Sequence, residues 1–101
     1  MAEVKRTFHK NGKLESEWFE INGELEGDFK KYWDNGNLDI YCTYIGNKLN
    51  GQYISYYENG IIHSISNYID GNLEGESKSY YTDGQIYKSY NYVNDIIVDM
   101  I

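Results

Sequence analysis

Two histidines, one cysteine and a scatter of carboxylates are the side chains in this chain of 101 residues with covalent, acid–base or metal chemistry open to them. Acid–base catalysis needs a histidine or paired carboxylates converging in a pocket. His9 and His63 stand in different columns of different repeats, each in a strand near a turn. A solvated or half-packed ring is the ordinary state there. Glu24, Glu26, Asp28, Glu74 and Glu76 offer oxygen ligands, but without the alternating Asp/Asn spacing by which a calcium loop wraps its ion. They read as a solvated acidic ridge. The stretch NGELEG lacks the Lys-Ser/Thr end and following helix of a phosphate loop. Cys42, within IYCTY, reads as a small buried hydrophobe rather than a nucleophile, and as the only cysteine it can form no intrachain disulfide. No catalytic residue, metal ligand or cofactor is therefore expected, and no enzyme activity.

What remains is recognition chemistry. The chain has 12 tyrosines and two tryptophans, and both residue types are enriched where proteins bind partners. Two aromatic columns stand out as candidate binding residues: Trp33, Tyr57 and Tyr81, and Tyr44, Tyr68 and Tyr92. They also serve as the ladder that holds a sheet together. The formal charge of −7 argues against binding a phosphate backbone, which needs clustered Lys and Arg, and against attraction to anionic lipid. It suits a basic protein partner.

The elements that position these columns follow from an internal repeat. HKNGKL, WDNGNL, YENGII and YTDGQI centre on Gly12, Gly36, Gly60 and Gly84, each 24 residues after the last. Windows 5–28, 29–52, 53–76 and 77–100 align without a gap, and the chain reads as one repeat domain, 1–101. Phe8, Tyr32, Tyr56 and Tyr80 share a column, as do Leu14, Leu38, Ile62 and Ile86. So do Ile21, Ile45, Ile69 and Val93, and Leu25, Leu49, Leu73 and Ile97. Asn-Gly or Asp-Gly between apolar-rich runs is a hairpin signal. Ten glycines, no proline and abundant tyrosine agree with many short strands.

A two-residue type I′ loop at each Asn-Gly predicts a register. It sets Trp33 opposite Leu38, Tyr57 opposite Ile62 and Tyr81 opposite Ile86. Phe29 faces Cys42 and Tyr53 faces Ser66 on the same side, with Tyr44, Tyr68 and Tyr92. Arg6–Glu17, Tyr32–Asp39 and Tyr56–His63 pair on the other. The joints INGELEG, IGNKLNG and IDGNLEG use glycine to reverse the chain and Ile plus Leu to pin it. The last joint, VNDIIVD, has Asp95 and Asp99 in the glycine places. Its apolar tail Ile96, Ile97, Val98, Met100 and Ile101 reads as a terminal cap, or else as an oligomer contact. The expected fold is all-β: an elongated, single-layer antiparallel meander of about four tandem β-hairpins with an atypical C-terminal cap.

YWDNGNL, YYENGII and YYTDGQI, followed by YIGNKLNG and YIDGNLEG, resemble MORN (membrane occupation and recognition nexus) repeats, in the variant found in YwqK-type antitoxins. The resemblance covers about residues 5–94. It departs in the first repeat, where Glu20 replaces the joint tyrosine and His9 the second aromatic, and in the last, which lacks joint glycines. It implies an interaction module rather than an enzyme, and the antitoxin likeness implies capture of a partner protein. A structural, self-associating scaffold is the alternative. Lipid binding and carbohydrate or choline binding are less expected, since choline repeats lean on tryptophan cages and an export signal. MAEVKRTF lacks an apolar signal core and no run of about 18 apolar residues follows, so a cytoplasmic protein is expected.

Overall fold

The computed structural model describes residues 2–100. They form one antiparallel sheet: β1 (Ala2–Phe8), β2 (Leu14–Ile21), β3 (Glu24–Tyr32), β4 (Leu38–Ile45), β5 (Lys48–Tyr56), β6 (Ile62–Ile69), β7 (Asn72–Leu73), β8 (Gly75–Tyr80), β9 (Ile86–Val93) and β10 (Ile96–Met100). Each strand pairs with its sequence neighbours, β7 and β8 together making one broken strand beside β6. The molecule is a slab of 40 × 33 × 13 Å. A single layer has no interior, and Cys42, 1% exposed, is the one buried hydrophobic residue among those described. The accessible surface of 6463 Å² exceeds the roughly 5,900 Å² of a compact monomer of this mass. The expected architecture is thus present, with the tail as a wholly exposed last strand, β10.

The turns differ from the expectation in one respect. At Trp33–Asn37, Gly36 N donates to Trp33 O at 2.9 Å and Trp33 N to Asn37 O at 2.8 Å. Gly36 has φ 92°, whereas Asn35 is not among the residues of positive φ. This is a three-residue loop: a type I turn closed by a glycine in the left-handed region. The same hydrogen bonds recur around Gly12, Gly60 and Gly84. Asn35 takes this form because its Oδ1 accepts from Asn37 N two residues on, at 2.8 Å. The extra loop residue moves the pairs nearest the turn by one. Tyr32, Tyr56 and Tyr80, not Trp33, Tyr57 and Tyr81, face Leu38, Ile62 and Ile86. A bulge then absorbs Glu15, Asp39, His63 and Tyr87 in the four hairpins and restores the register. Beyond it, Arg6–Glu17, Phe29–Cys42 and Tyr53–Ser66 pair as the alternation predicts. The Tyr32–Asp39 and Tyr56–His63 pairs do not form.

The type I′ turns lie at the joints instead. Asn22–Gly23, Gly46–Asn47, Asp70–Gly71 and Asn94–Asp95 all have φ > 0 at both positions. The fourth joint therefore reverses without glycine. A second bulge follows each of the first three joints, and Gly51 shows why glycine holds that place: φ is +106°, and a Cβ would come within 2.7 Å of Thr43 Oγ1. At Asp99, which fills the equivalent place, the bulge shrinks to one extra residue, Val98.

Neighbouring repeats are tied along both rims. On the turn rim, His9 Nε2 meets Tyr32 O at 2.8 Å, Trp33 Nε1 donates to Tyr56 O at 3.1 Å, and Tyr57 Oη donates to Tyr80 O at 2.6 Å. Beside them, Asn11, Asn35 and Asn59 Nδ2 donate to Asp34, Glu58 and Thr82 O. On the joint rim, Asn47, Gly71 and Asp95 N donate to Leu25, Leu49 and Leu73 O. Side chains of the first three turns thus donate forward to the next repeat's backbone, while at the joints the backbone donates back to the repeat before.

Tyr57→Phe removes one rung while keeping the ring. It is expected to cost about 1 kcal/mol in urea unfolding, whereas Tyr81→Phe, with no such bond among the described residues, should stay within about 0.5 kcal/mol of wild type.

Candidate functional site

Alternation outward from Phe29, Cys42 and Tyr53 places all six candidate aromatics on one face of the sheet. Trp33, Tyr57 and Tyr81 lie toward the turn rim, and Tyr44, Tyr68 and Tyr92 toward the joint rim. Trp18, Phe29, Tyr53 and Tyr90 fill the space between. Trp18 stacks on Phe29 (centroids 5.8 Å), Phe29 meets Tyr44 edge-on (6.1 Å), Tyr53 meets Tyr68 (6.2 Å) and Tyr90 meets Tyr92 (6.3 Å). These contacts tie the joint-rim rings to the middle of the face in separate groups, and the turn-rim rings pair instead with the bulge residues. Aromatic pairs at these distances add to the area they bury.

Trp33 and Tyr57 are fixed by their donor bonds, and Tyr57 and Tyr81 from beneath by bulge residues. His63 packs against Tyr57 at 4.7 Å and Tyr87 against Tyr81 at 4.9 Å. His63 Nδ1 also lies 3.2 Å from Ser55 Oγ, so His63 sits on the aromatic face and not opposite Tyr56. His9 Nδ1 is 3.8 Å from the Glu15 carboxylate. The two histidines are engaged separately, in different repeats. Between successive turns the rings wall open clefts. Trp33, Tyr57, Glu58, Asn59 and Thr82 line one of about 390 Å³. His9, Lys10, Asn11 and Asp34 line its counterpart two repeats earlier, about 340 Å³. Among the described residues no three His, Cys, Asp or Glu side chains converge as a metal site requires.

Of the six candidates only Tyr81 is exposed, at 52%; the others are half-buried. At the centre, burial pushes the Cys42 thiol up from 9.0 to about 11, the adjacent Tyr44 hydroxyl partly offsetting it. Burial raises the Tyr44, Tyr53 and Tyr68 phenols as well. A thiol so placed is not a nucleophile at neutral pH.

The opposite face holds residues the sequence reading assigned otherwise. Ile21, Ile45, Ile69 and Val93, expected to pin the joints, are 38%, 59%, 52% and 52% exposed. Leu25, Leu49 and Leu73 are the half-buried joint residues. In β10, Ile96, Ile97, Val98 and Met100 are all exposed; Ile101 lies outside the described residues. Charge is also unevenly spread. The joint segments 20–28, 44–52, 68–76 and 92–100 hold nine of the 16 acidic side chains and one of the nine cationic ones, Lys48. The whole net negative charge thus resides at the joint end of the strands.

A family model described as MORN repeat variant matches residues 4–19, 25–45, 49–70 and 73–94. No curated protein and no solved structure matches the chain.

The raised Cys42 and tyrosine values fix a pH dependence. The unfolded chain ionises these groups first, so the stability they contribute is full below about pH 9 and is lost as pH rises through about 11. Urea midpoints should therefore be level from neutral pH to about 9 and fall above it. Cys42 should resist thiol reagents in the native state and react on unfolding.

Proposed function

The chain belongs to the MORN repeat variant family, and on that premise we propose that it is a non-enzymatic protein-binding module whose aromatic face receives a partner. The observation that carries this reading is the arrangement of that face. Trp33, Tyr57 and their neighbours are held by bonds to the next repeat's backbone, yet the sheet has no second layer to cover them. Rings already fixed lose little rotamer freedom on binding, which is how a pre-organised surface gains affinity. Tyr81, exposed and without a side-chain hydrogen bond among the described residues, is the most accessible member of the row. The charge of −7 favours a basic partner.

The antitoxin-like form of this function is capture and neutralisation of one toxin protein in a reducing, cytoplasmic setting. The free Cys42 and the surface charge suit it. Its test is co-expression with the product of the neighbouring gene. Restored growth of cells that this product alone arrests supports it, and continued arrest overturns it.

A second reading, self-association, is favoured by β10, whose four apolar residues are 50–69% exposed along the last strand of the sheet. Such a strand invites pairing unless charge blunts it. Light scattering should then report an oligomer that Ile96→Lys plus Val98→Lys reduces to monomer. A monomer before substitution removes the reading.

For the main proposal, partner recovery on the immobilised chain should fall at least fivefold with Tyr57→Ala plus Tyr81→Ala and hold with Ile45→Thr plus Ile69→Thr, which alters only the other face. Equal recovery by both variants overturns the aromatic face as the docking surface.

A further inference from the structure

The isoleucine row on the face opposite the aromatics is regular, exposed and unexplained by packing. Ile21, Ile45, Ile69 and Val93 end β2, β4, β6 and β9 at the same place before each joint turn. A residue that served only to fill the sheet would be covered by it, and these four are 38–59% exposed. Ile96, paired with Val93 and 66% exposed, continues the row. Around it on the same face lie Glu24, paired with Ile21, Asp28, and Glu76 and Asp99, which both pair with Asn91. Asp70 and Asp95 occupy the turns beyond. Lys48, paired with Ile45, is the one cation within the joint segments, and Lys78 reaches in from β8 to lie 3.2 Å from Glu76.

We infer that this row is a second docking surface, and that its occupant is a basic amphipathic helix of another protein. It shares with the proposed function only the premise that the chain binds protein. The ligand chemistry follows from the surface: an apolar seam to cover the isoleucines, flanked by lysine or arginine to meet the acidic ridge. The helical form follows from the spacing. Successive isoleucines are two strands apart, about 10 Å at roughly 4.8 Å per strand. An extended peptide presents one face every second residue, at about 6.6 or 13 Å, and misses that interval. A helix presents one face every seven residues, about 10.5 Å apart, and meets it.

The test uses a fluorescein-labelled synthetic helix of about 22 residues, with leucine at every seventh position and lysine and alanine elsewhere. Its control has the same composition with the leucines scattered around the helix. Fluorescence anisotropy should show the periodic peptide binding the full chain more tightly than the control, and less tightly as salt rises. Ile45→Thr plus Ile69→Thr, which keeps β-branched residues in the strands, should weaken binding at least tenfold. Tyr81→Ser, on the other face, should leave it within twofold. Absent binding, equal binding of the two peptides, or unchanged binding by the threonine variant overturns the proposal. So does sedimentation showing a dimer of the chain alone that the threonine variant dissolves, since the row would then belong to a second copy. Loss of partner binding through Tyr57 and Tyr81 bears on the aromatic face and leaves this result standing.

Discussion

The structure depends on one kind of bond, a side-chain donor reaching the backbone carbonyl of the next repeat. A single-layer sheet cannot bury its way to stability, and a hairpin alone is marginal in water. Ladder hydrogen bonds join adjacent strands but do little to set the angle between one hairpin and the next. His9, Trp33 and Tyr57 do so at the turn rim, each bonded to a carbonyl 23 residues on. Asn11, Asn35 and Asn59 add a second line. Asparagine suits the task because its two ends act at once: Oδ1 closes its own turn and Nδ2 reaches the following one. Asp83, at the fourth turn of that rim, keeps only the first role, through Gln85 N.

This requirement explains residues that otherwise look interchangeable. The column of His9, Trp33, Tyr57 and Tyr81 contains three ring types, and each has an N–H or O–H to donate. The adjacent column of Phe8, Tyr32, Tyr56 and Tyr80 tolerates phenylalanine, because it offers its backbone carbonyl. His9 is thus neither a relic of catalysis nor an imperfect aromatic. It is the donor of the first rung, with Glu15 beside its other nitrogen.

Much of the fold was legible because the hydrophobic pattern and the turn residues have a fixed period, and the pairs far from the turn followed from alternation. Phe29–Cys42 and Arg6–Glu17 form as expected because the bulge cancels the extra loop residue. The slip beside each turn was hidden because Asn-Gly suits both a type I′ turn and a type I turn closed by glycine. The choice rests on φ at Asn35, and Asn35 is held by contacts with Asn37 and with Glu58 of the next repeat. The bulge left no mark: the column of Glu15, Asp39, His63 and Tyr87 is no more mixed than the paired column of Glu17, Tyr41, Ile65 and Ser89. The exposed isoleucines were misassigned for a different reason. Periodicity identifies a face, but in a one-layer sheet it cannot say whether anything covers that face.

The two faces therefore pose different energetic problems. On the aromatic face, rings shield one another and Cys42, so a partner there meets a surface already half-covered and rigid. Its gain comes from fit more than from newly buried area. Along the isoleucine row the apolar groups stand apart, about one repeat from each other, amid carboxylates that water solvates well. A partner gains there only if it brings cations to those carboxylates, since burying them unpaired costs more than the isoleucines return. On the proposed reading, fit would govern binding at the first face and charge at the second.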